Sequence, residues 1–207
     1  MTGTHTSLLD TSRRLLSIEA AAIAALADGL NGSAAAAFLQ AVDLLVNCSG
    51  HVIVSGAGTT GMVARRLAHL LCNVGCPALF LHAGDSLHGS SGAVKDADVC
   101  VILSKTGETR ETRELAEIIA ARQGTIIAIT ANPQSTLAKL SRVVLLVLTP
   151  AEIDPYGGLM GVGSSLAAAA LSDALVYAVL ECKGASRQRF VSGHPGGVIE
   201  HLDEPSP

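Results

Sequence analysis

Three hydroxyl-bearing residues surround a glycine in residues 104–109, which read Ser-Lys-Thr-Gly-Glu-Thr. An apolar run precedes the segment and a charged, periodic one follows it, which predicts a turn between a buried strand and a helix beginning at Glu108. Backbone N–H groups and the positive end of a helix dipole bind phosphate at such turns. We therefore predict that Ser104, Lys105, Thr106 and Thr109 bind a phosphate group. A plain helix cap would explain one hydroxyl but not three.

A second turn, residues 55–61, reads Ser-Gly-Ala-Gly-Thr-Thr-Gly and formally matches the G-x-G-x-x-G pattern of dinucleotide sites. The next predicted strand ends Phe-Leu-His, without the acidic residue that normally holds the ribose, so the pattern is weak evidence for a nucleotide. We predict that the residues of this turn approach a sugar or a phosphate, with a purely structural tight turn as the alternative. The residues concerned are Ser55, Gly56, Gly58, Thr59 and Thr60.

The elements that position these turns follow from hydrophobic periodicity. Two amphipathic helices come first, and short continuous apolar runs then alternate with helical segments, which indicates parallel strands buried on both faces. Helices are predicted over residues 6–30, 33–48 with a Ser33 cap, 62–73, 111–123 with Gly124 as the stop, and 164–183 with Gly184 as the cap; strands over 51–55, 78–81, 99–103, 126–129 and 143–147. The predicted fold is α/β, a doubly wound five-stranded parallel sheet flanked by helices, with its site at the carboxyl ends of the strands.

Composition limits the classes of partner. A chain of 207 residues, 49% of them hydrophobic, can bury one core, which we divide into N-terminal helices (1–50), an α/β core (51–184) and a tail (185–207). An aromatic share of 2% and a net charge of -4 argue against a nucleic acid partner. Five cysteines without C-x-x-C spacing, no apolar signal core and no uninterrupted apolar span predict a soluble, cytoplasmic protein without a membrane partner.

Five motifs distributed over nearly the whole chain recur in one known family. They are Gly56-Ala57-Gly58, Leu87-His88-Gly89, residues 103–109, residues 130–138, and Ser-Gly-His-Pro-Gly-Gly at 192–197. Together they resemble the sugar isomerase (SIS) domain family, and within it the arabinose-5-phosphate isomerases. Full-length members usually continue into a pair of CBS domains, so the resemblance is to the short, single-domain form.

The resemblance implies an aldose-ketose isomerisation, D-arabinose 5-phosphate to D-ribulose 5-phosphate, through an enediol and without a metal or organic cofactor. It implies a homo-oligomer, dimer or tetramer, with shared sites. Glu111 and Glu152 match the acid/base carboxylates of the family, His194 the histidine of ring opening or proton relay, and His88 an active-site histidine. Plain alternatives are a dipole-stabilised carboxylate for Glu111, a solvated loop residue for Glu152 and a structural role for His88.

The chain departs from the family pattern in both turns. Thr59 stands where the family has a lysine and Thr60 where it has a serine, while Lys105 stands where asparagine is usual. Lys105 is therefore expected to replace the missing cation. Two alternatives stay open: a sugar-phosphate-binding protein without catalysis, which Thr59 favours, and a nicotinamide-dependent dehydrogenase, which the glycines of the first turn suggest.

Overall fold

The computed structural model describes the backbone of residues 2–184 and the side chains from residue 5 onwards. Five strands form one parallel sheet in the order β2-β1-β3-β4-β5. They are β1 (Val52–Gly56), β2 (Ala78–His82), β3 (Val99–Leu103), β4 (Thr125–Thr130) and β5 (Val143–Leu146). The predicted five-stranded parallel sheet is confirmed, each strand within one residue of its expected bounds.

Helices cover both faces of this sheet. They are α1 (Thr2–Leu30), α2 (Ala35–Val46), α3 (Gly58–Asn73), α4 (Ala83–Ser86), α5 (Arg110–Ala121), α6 (Thr136–Leu140), α7 (Pro155–Gly158) and α8 (Gly163–Lys183), with 3-10 turns at Ser90–Ala93 and Ala151–Ile153. One core packs α2, α3 and α8 against the sheet, with α1 at its margin. The second core packs α5 and α6 against the opposite face.

The central strands are buried on both faces because their side chains alternate between these two cores. In β1, Val52 and Val54 belong to the α3/α8 core, whereas Ile53 belongs to the α5/α6 core. All five residues of β1 and of β3 are buried, and continuous apolar runs are what such strands require. The sequence signal for these strands is therefore strong.

The strand order creates a crevice. From β1 the chain crosses to β2 on one side and returns to β3 on the other, and Gly56 pairs with Leu103 where β1 and β3 end. Loops that leave neighbouring strands in opposite directions open a crevice at the carboxyl edge of the sheet, the usual ligand site of this architecture. Both turns singled out in the sequence begin here.

Several predicted helix ends are wrong by a few residues. α3 begins at Gly58 rather than at residue 62, because its first turn is made of glycine and threonine and carries no apolar period. α5 begins at Arg110, two residues after Glu108. α2 is preceded by Ala34 without a side-chain cap, so Ser33 is not its cap.

The end of α5 also differs from the prediction. Gln123, with φ 60°, takes the left-handed conformation expected of Gly124. Gly124 is required for a different reason: there is no room for a side chain, because a Cβ atom there would lie 2.6 Å from the Ile119 side chain.

One helix of the described part, α8, is long and apolar enough to cross a membrane by length and composition alone. Core helices of soluble proteins pass the same test. In this fold α8 packs against α1, α2 and α3, and its buried residues, Leu171 and Leu175 among them, belong to the main core.

Candidate functional site

The turn between β3 and α5 is held by its own side chains. The Ser104 hydroxyl accepts a hydrogen bond from the Gly107 N–H (3.1 Å) and lies 3.3 Å from the Thr109 hydroxyl, while the Thr106 hydroxyl accepts from the Glu108 N–H (3.2 Å). Ser104 is buried and Thr106 is exposed. All three predicted phosphate-binding hydroxyls therefore help to shape the turn, and of the three residues Thr106 and Thr109 line the cavity described below.

Glu108 ties this turn to the next loop. Its carboxylate accepts a hydrogen bond from the Thr136 N–H (2.6 Å) at the start of α6, and this bond lowers the pKa of Glu108. The Lys105 carbonyl accepts from the Ala131 N–H (2.9 Å) and from the Thr130 hydroxyl (3.2 Å). The turn is thus fixed to the end of β4 at two points.

The first turn brings the N-terminus of α3 to the same crevice. Gly56 has no room for a side chain, since a Cβ atom there would lie 2.8 Å from the Thr60 carbonyl oxygen. Ala57 precedes α3 and offers no side-chain acceptor, so the N–H groups of the first helical turn can donate to a ligand. Thr59 is exposed, and the Thr60 hydroxyl donates to the Ala57 carbonyl (2.8 Å).

A cavity of about 290 Å³ opens between these segments. Three segments line it: the first turn of α3, the turn after β3, and the loop that leads into α8. The lining residues are Ala57, Thr59, Thr60, Lys105, Thr106, Thr109, Gly158, Leu159, Gly161, Ser164 and Ser165. Among these described residues Lys105 is the only charged one, and hydroxyl groups and helix N-termini make up most of the polar lining.

Lys105 is paired rather than free. Its Nζ donates to the Asp154 Oδ2 (2.7 Å) and to the Gly158 carbonyl (3.3 Å). Asp154 is fully buried at its side chain, and its other oxygen accepts from the Ser164 N–H (3.1 Å) in the first turn of α8. Lys105 thus lines the same cavity as Thr59, and its charge is balanced by Asp154.

Two opposing effects act on the Asp154 carboxyl group. Burial raises its pKa, but the hydrogen bonds from Lys105 and Ser164 outweigh burial, and the pKa lies below its ordinary value. A lowered carboxyl pKa contributes stability above the pKa of the unfolded chain, and this stability is lost as the pH falls through the folded value. At neutral pH the ion pair is therefore intact.

A larger cavity of about 480 Å³ lies elsewhere, between α1, α2, α8 and β5. Its walls are mainly apolar side chains such as Leu26, Phe38 and Leu148, and it holds no charged residue among those described. Apolar walls without a charged group do not stabilise a phosphate, so the smaller polar cavity at the β1/β3 crevice is the candidate site.

The match to known proteins agrees with this geometry. A family model described as "SIS domain" matches residues 45–178. The chain belongs to the SIS domain family. The matched range includes the whole sheet, both turns that line the cavity and most of α8.

Curated relatives of this SIS chain include arabinose 5-phosphate isomerases. KdsD of Salmonella typhi is 33% identical over 162 residues, which are 78% of this chain and 49% of the relative. KdsD of Escherichia coli (strain K12) is 32% identical over 187 residues, 90% of this chain and 56% of the relative. The chain thus spans about half the length of the curated relatives it matches.

A solved structure of an E. coli CFT073 protein in complex with arabinose 5-phosphate is 27% identical, has a TM-score of 0.83 and covers 92% of this chain and 98% of that one. The SIS fold is also shared, at 22% identity and a TM-score of 0.68, with the sugar isomerase domain of an RpiR transcription factor from Sphaerobacter thermophilus. These comparisons confirm the fold predicted from the resemblance.

The predicted acid/base residues are not gathered in the cavity. Glu111 is half-buried in the first turn of α5, Glu152 is exposed in the 3-10 turn just before Asp154, and His88 is exposed after α4, beyond the end of β2. None of these three is among the residues that line the 290 Å³ cavity. His194 falls in the tail, outside the described residues.

Ser55 is set apart in a different way. It is buried at the end of β1, and by strand alternation it shares the face of Ile53, toward α5 rather than α8. Its hydroxyl has no hydrogen-bond partner in the described part of the chain. An unpartnered buried hydroxyl is unusual in folded proteins.

Sequence reasoning missed three of the polar residues that build the site. Asp154, Ser164 and Ser165 come together with Lys105 only because α8 begins beside the end of β3. The available signal was weak: a carboxylate followed by Pro155, and a serine pair before an Ala-rich helix. Neither pattern identifies a partner 49 residues earlier in the chain.

Proposed function

We propose that this chain is a phosphosugar aldose-ketose isomerase, acting on D-arabinose 5-phosphate to give D-ribulose 5-phosphate, or on a related sugar phosphate. The observation that carries the proposal is the cavity at the β1/β3 crevice, where two helix N-termini, Thr59, Thr106, Thr109 and the Lys105 ammonium face one small space. Oriented N–H and O–H donors of this kind hold a phosphate ester. The names of the KdsD relatives and the complex of the E. coli CFT073 protein with arabinose 5-phosphate support the choice of substrate.

The chemistry needs one base and one route for the hydroxyl proton. A carboxylate removes the C2 proton of the open-chain aldose while the carbonyl oxygen at C1 is protonated, which gives the enediol. Return of a proton to C1 and loss of the C2 hydroxyl proton give the ketose, so that no redox partner enters. Holding the phosphate fixes C1 and C2 relative to the base, which is where binding energy contributes to the rate.

We assign the roles from the family resemblance, residue by residue. Glu111 and Glu152 are the proposed acid/base carboxylates, and His194 and His88 the proposed histidines of ring opening and proton relay. Glu152 lies two residues before Asp154, which contacts Lys105 at the cavity. Because the described residues of one chain do not bring these groups together, we further propose that a second copy of the chain completes the site.

The test is turnover of a phosphosugar panel by the wild type and by single variants. We expect Glu152→Gln and His194→Ala to lower kcat by at least about 100-fold while the protein still binds the sugar phosphate. Glu181→Gln, an exposed carboxylate at the far end of α8, is the matched control and should keep full activity. Full activity in both site variants would contradict the proposed roles.

A second function is a sugar-phosphate sensor without catalysis. Thr59 and the balanced charge of Lys105 favour it, since both reduce the electrostatic stabilisation of an enediolate. The same fold occurs in regulators, including Vibrio vulnificus NanR in a complex with ManNAc-6P. Tight binding of a phosphosugar without isomerisation of any member of the panel would decide for this function.

The dehydrogenase alternative rests on the glycines of residues 56–61 alone. In the structure β2 ends at His82 rather than at an acidic residue, and the first carboxylate, that of Asp85 in α4, lies 3.8 Å from the His82 Nδ1 atom. We expect no rise in melting temperature with NAD(H) or NADP(H). A rise of several degrees with either cofactor would reopen this alternative.

A further inference from the structure

Asp154 is a buried carboxylate that the proposed reaction does not use. Both of its oxygens are occupied: Oδ2 accepts from Lys105 Nζ at 2.7 Å and Oδ1 accepts from the Ser164 N–H at 3.1 Å. Its side chain is 0% exposed, whereas that of Lys105 is 35% exposed and lines the cavity. Asp154 therefore cannot touch a ligand itself, and any effect on a ligand acts through its charge and through Lys105.

The negative charge of Asp154 changes how strongly the cavity attracts an anionic ligand. Lys105 is the only charged residue among the described lining residues, and the Asp154 Oδ2 atom lies 2.7 Å from its ammonium nitrogen. The attraction of the ammonium for a phosphate is opposed by repulsion from the Asp154 carboxylate, which is fully buried. The pair as a whole brings no net charge to the site.

Hydrogen bonding is affected differently. An ammonium group has three N–H donors, and Asp154 and the Gly158 carbonyl take two of those of Lys105. The third is left for a ligand, in a direction that the two acceptors fix. The pair thus preserves a directed donor at the cavity while it cancels most of the ionic attraction.

We propose that Asp154 is a specificity-determining residue: it sets the net side-chain charge of the cavity to zero, so that phosphate esters are selected by hydrogen-bond geometry rather than by ionic attraction. This rests on the proposed function, in which the ligand is a phosphosugar. The consequence is a site that binds inorganic phosphate and other small dianions weakly and relies on the sugar for part of its affinity.

Binding of inorganic phosphate, measured by calorimetry at about 20 mM and about 200 mM NaCl, tests the proposal with Asp154→Asn, Lys105→Met and the double variant. Asp154→Asn should bind phosphate at least about tenfold more tightly than the wild type at the lower salt concentration and lose more affinity with added salt. Lys105→Met should bind at least about tenfold more weakly, because it leaves an unpaired buried carboxylate beside the ligand. The double variant should return to within about fivefold of the wild type.

The opposite outcomes overturn the proposal. Equal or weaker binding by Asp154→Asn, including no detectable binding by any variant, would show that the carboxylate does not oppose the ligand. A double variant no better than Lys105→Met would do the same, and this comparison remains informative if Asp154→Asn alone fails to fold. Asp96→Asn removes the same charge at an exposed position remote from the site and should leave phosphate binding unchanged.

These outcomes are separable from failure of the proposed function, since inorganic phosphate binding requires no turnover. If the predicted order of affinities is found and no phosphosugar is isomerised, the charge role of Asp154 stands and the isomerase does not. If a phosphosugar is isomerised and Asp154→Asn binds phosphate no more tightly, the isomerase stands and the charge role does not.

Discussion

At the scale of single residues, Gly107 shows how little freedom the phosphate turn has. Its φ of 67° lies in the left-handed region, and a Cβ atom there would overlap the side chain of Ser135. The carbonyl of Gly107 also accepts from the Leu137 N–H (3.2 Å). One glycine therefore serves both the turn and its packing against β4 and α6.

We expect Gly107→Ala to lower the free energy of unfolding by at least about 2 kcal/mol, from backbone strain together with the overlap at Ser135. Phosphosugar affinity should fall as well, because Thr106 and Lys105 lie in the same turn. Urea unfolding measures the first effect and calorimetry the second. Gly92→Ala, at an exposed glycine with open space around it, is the control and should change stability by less than about 0.5 kcal/mol. A fully stable Gly107→Ala would show that the turn can relax.

At the scale of elements, burial separates four of the five cysteines into two classes, and Cys48 is intermediate. Burial raises the pKa of Cys76, just before β2, to about 11 and that of Cys100, inside β3, to about 12. Cys72 near the end of α3 and Cys182 near the end of α8 are exposed. The reactivity of the thiols therefore reports on the integrity of the central sheet.

Iodoacetamide at about pH 8 should modify Cys72 and Cys182 of the native protein and spare Cys76 and Cys100, as read by mass spectrometry of tryptic peptides. At this pH the raised pKa values keep both thiols protonated and unreactive, and neither side chain is accessible. Both should react after unfolding in urea. Rapid labelling of Cys100 in native protein would mean that β3 opens far more readily than its burial implies.

The elements also show what a sequence can and cannot predict here. The strands were predictable because β3 is an unbroken apolar run and β1 begins as one, and the order of the five long helices followed from periodicity. The short helices α4, α6 and α7, of four or five residues each, were not predicted. The start of α3 was not, because Gly58 and Thr59 carry no apolar signal, and the Lys105–Asp154 pair was not, because its members meet across 49 residues. Residues that act within one turn can be recognised from the sequence, whereas pairs between different turns depend on the order of the strands in the sheet.

At the scale of the whole molecule, α1 presents an apolar face that the described part of the chain leaves open. Leu9 and Leu16 are each 64% exposed, Ile23 is 36% exposed, and steps of seven residues place the three on one side of the helix. Leu8 adds to the same region. A row of exposed large apolar side chains on one helix face favours self-association.

We therefore predict a homo-oligomer, dimer or tetramer, at micromolar concentration in sedimentation velocity. The Leu9→Lys/Leu16→Lys variant should sediment as a smaller species while its far-UV circular dichroism stays unchanged, because both residues are exposed within one chain. It should also lose turnover if a second copy completes the site. A monomeric wild type with full isomerase activity would contradict both the oligomer and the shared site.

The most direct measurement is an NMR time course of the wild type with D-arabinose 5-phosphate in D₂O. We predict that D-ribulose 5-phosphate forms and that solvent deuterium enters at C1, the carbon that receives the proton. The reason is that the proton held by the base exchanges with the solvent before the base returns it to the enediol. Glu152→Gln should abolish both signals. Saturable binding of the sugar phosphate, with neither ketose formation nor deuterium incorporation for it or for any other phosphosugar tested, would contradict the isomerase function.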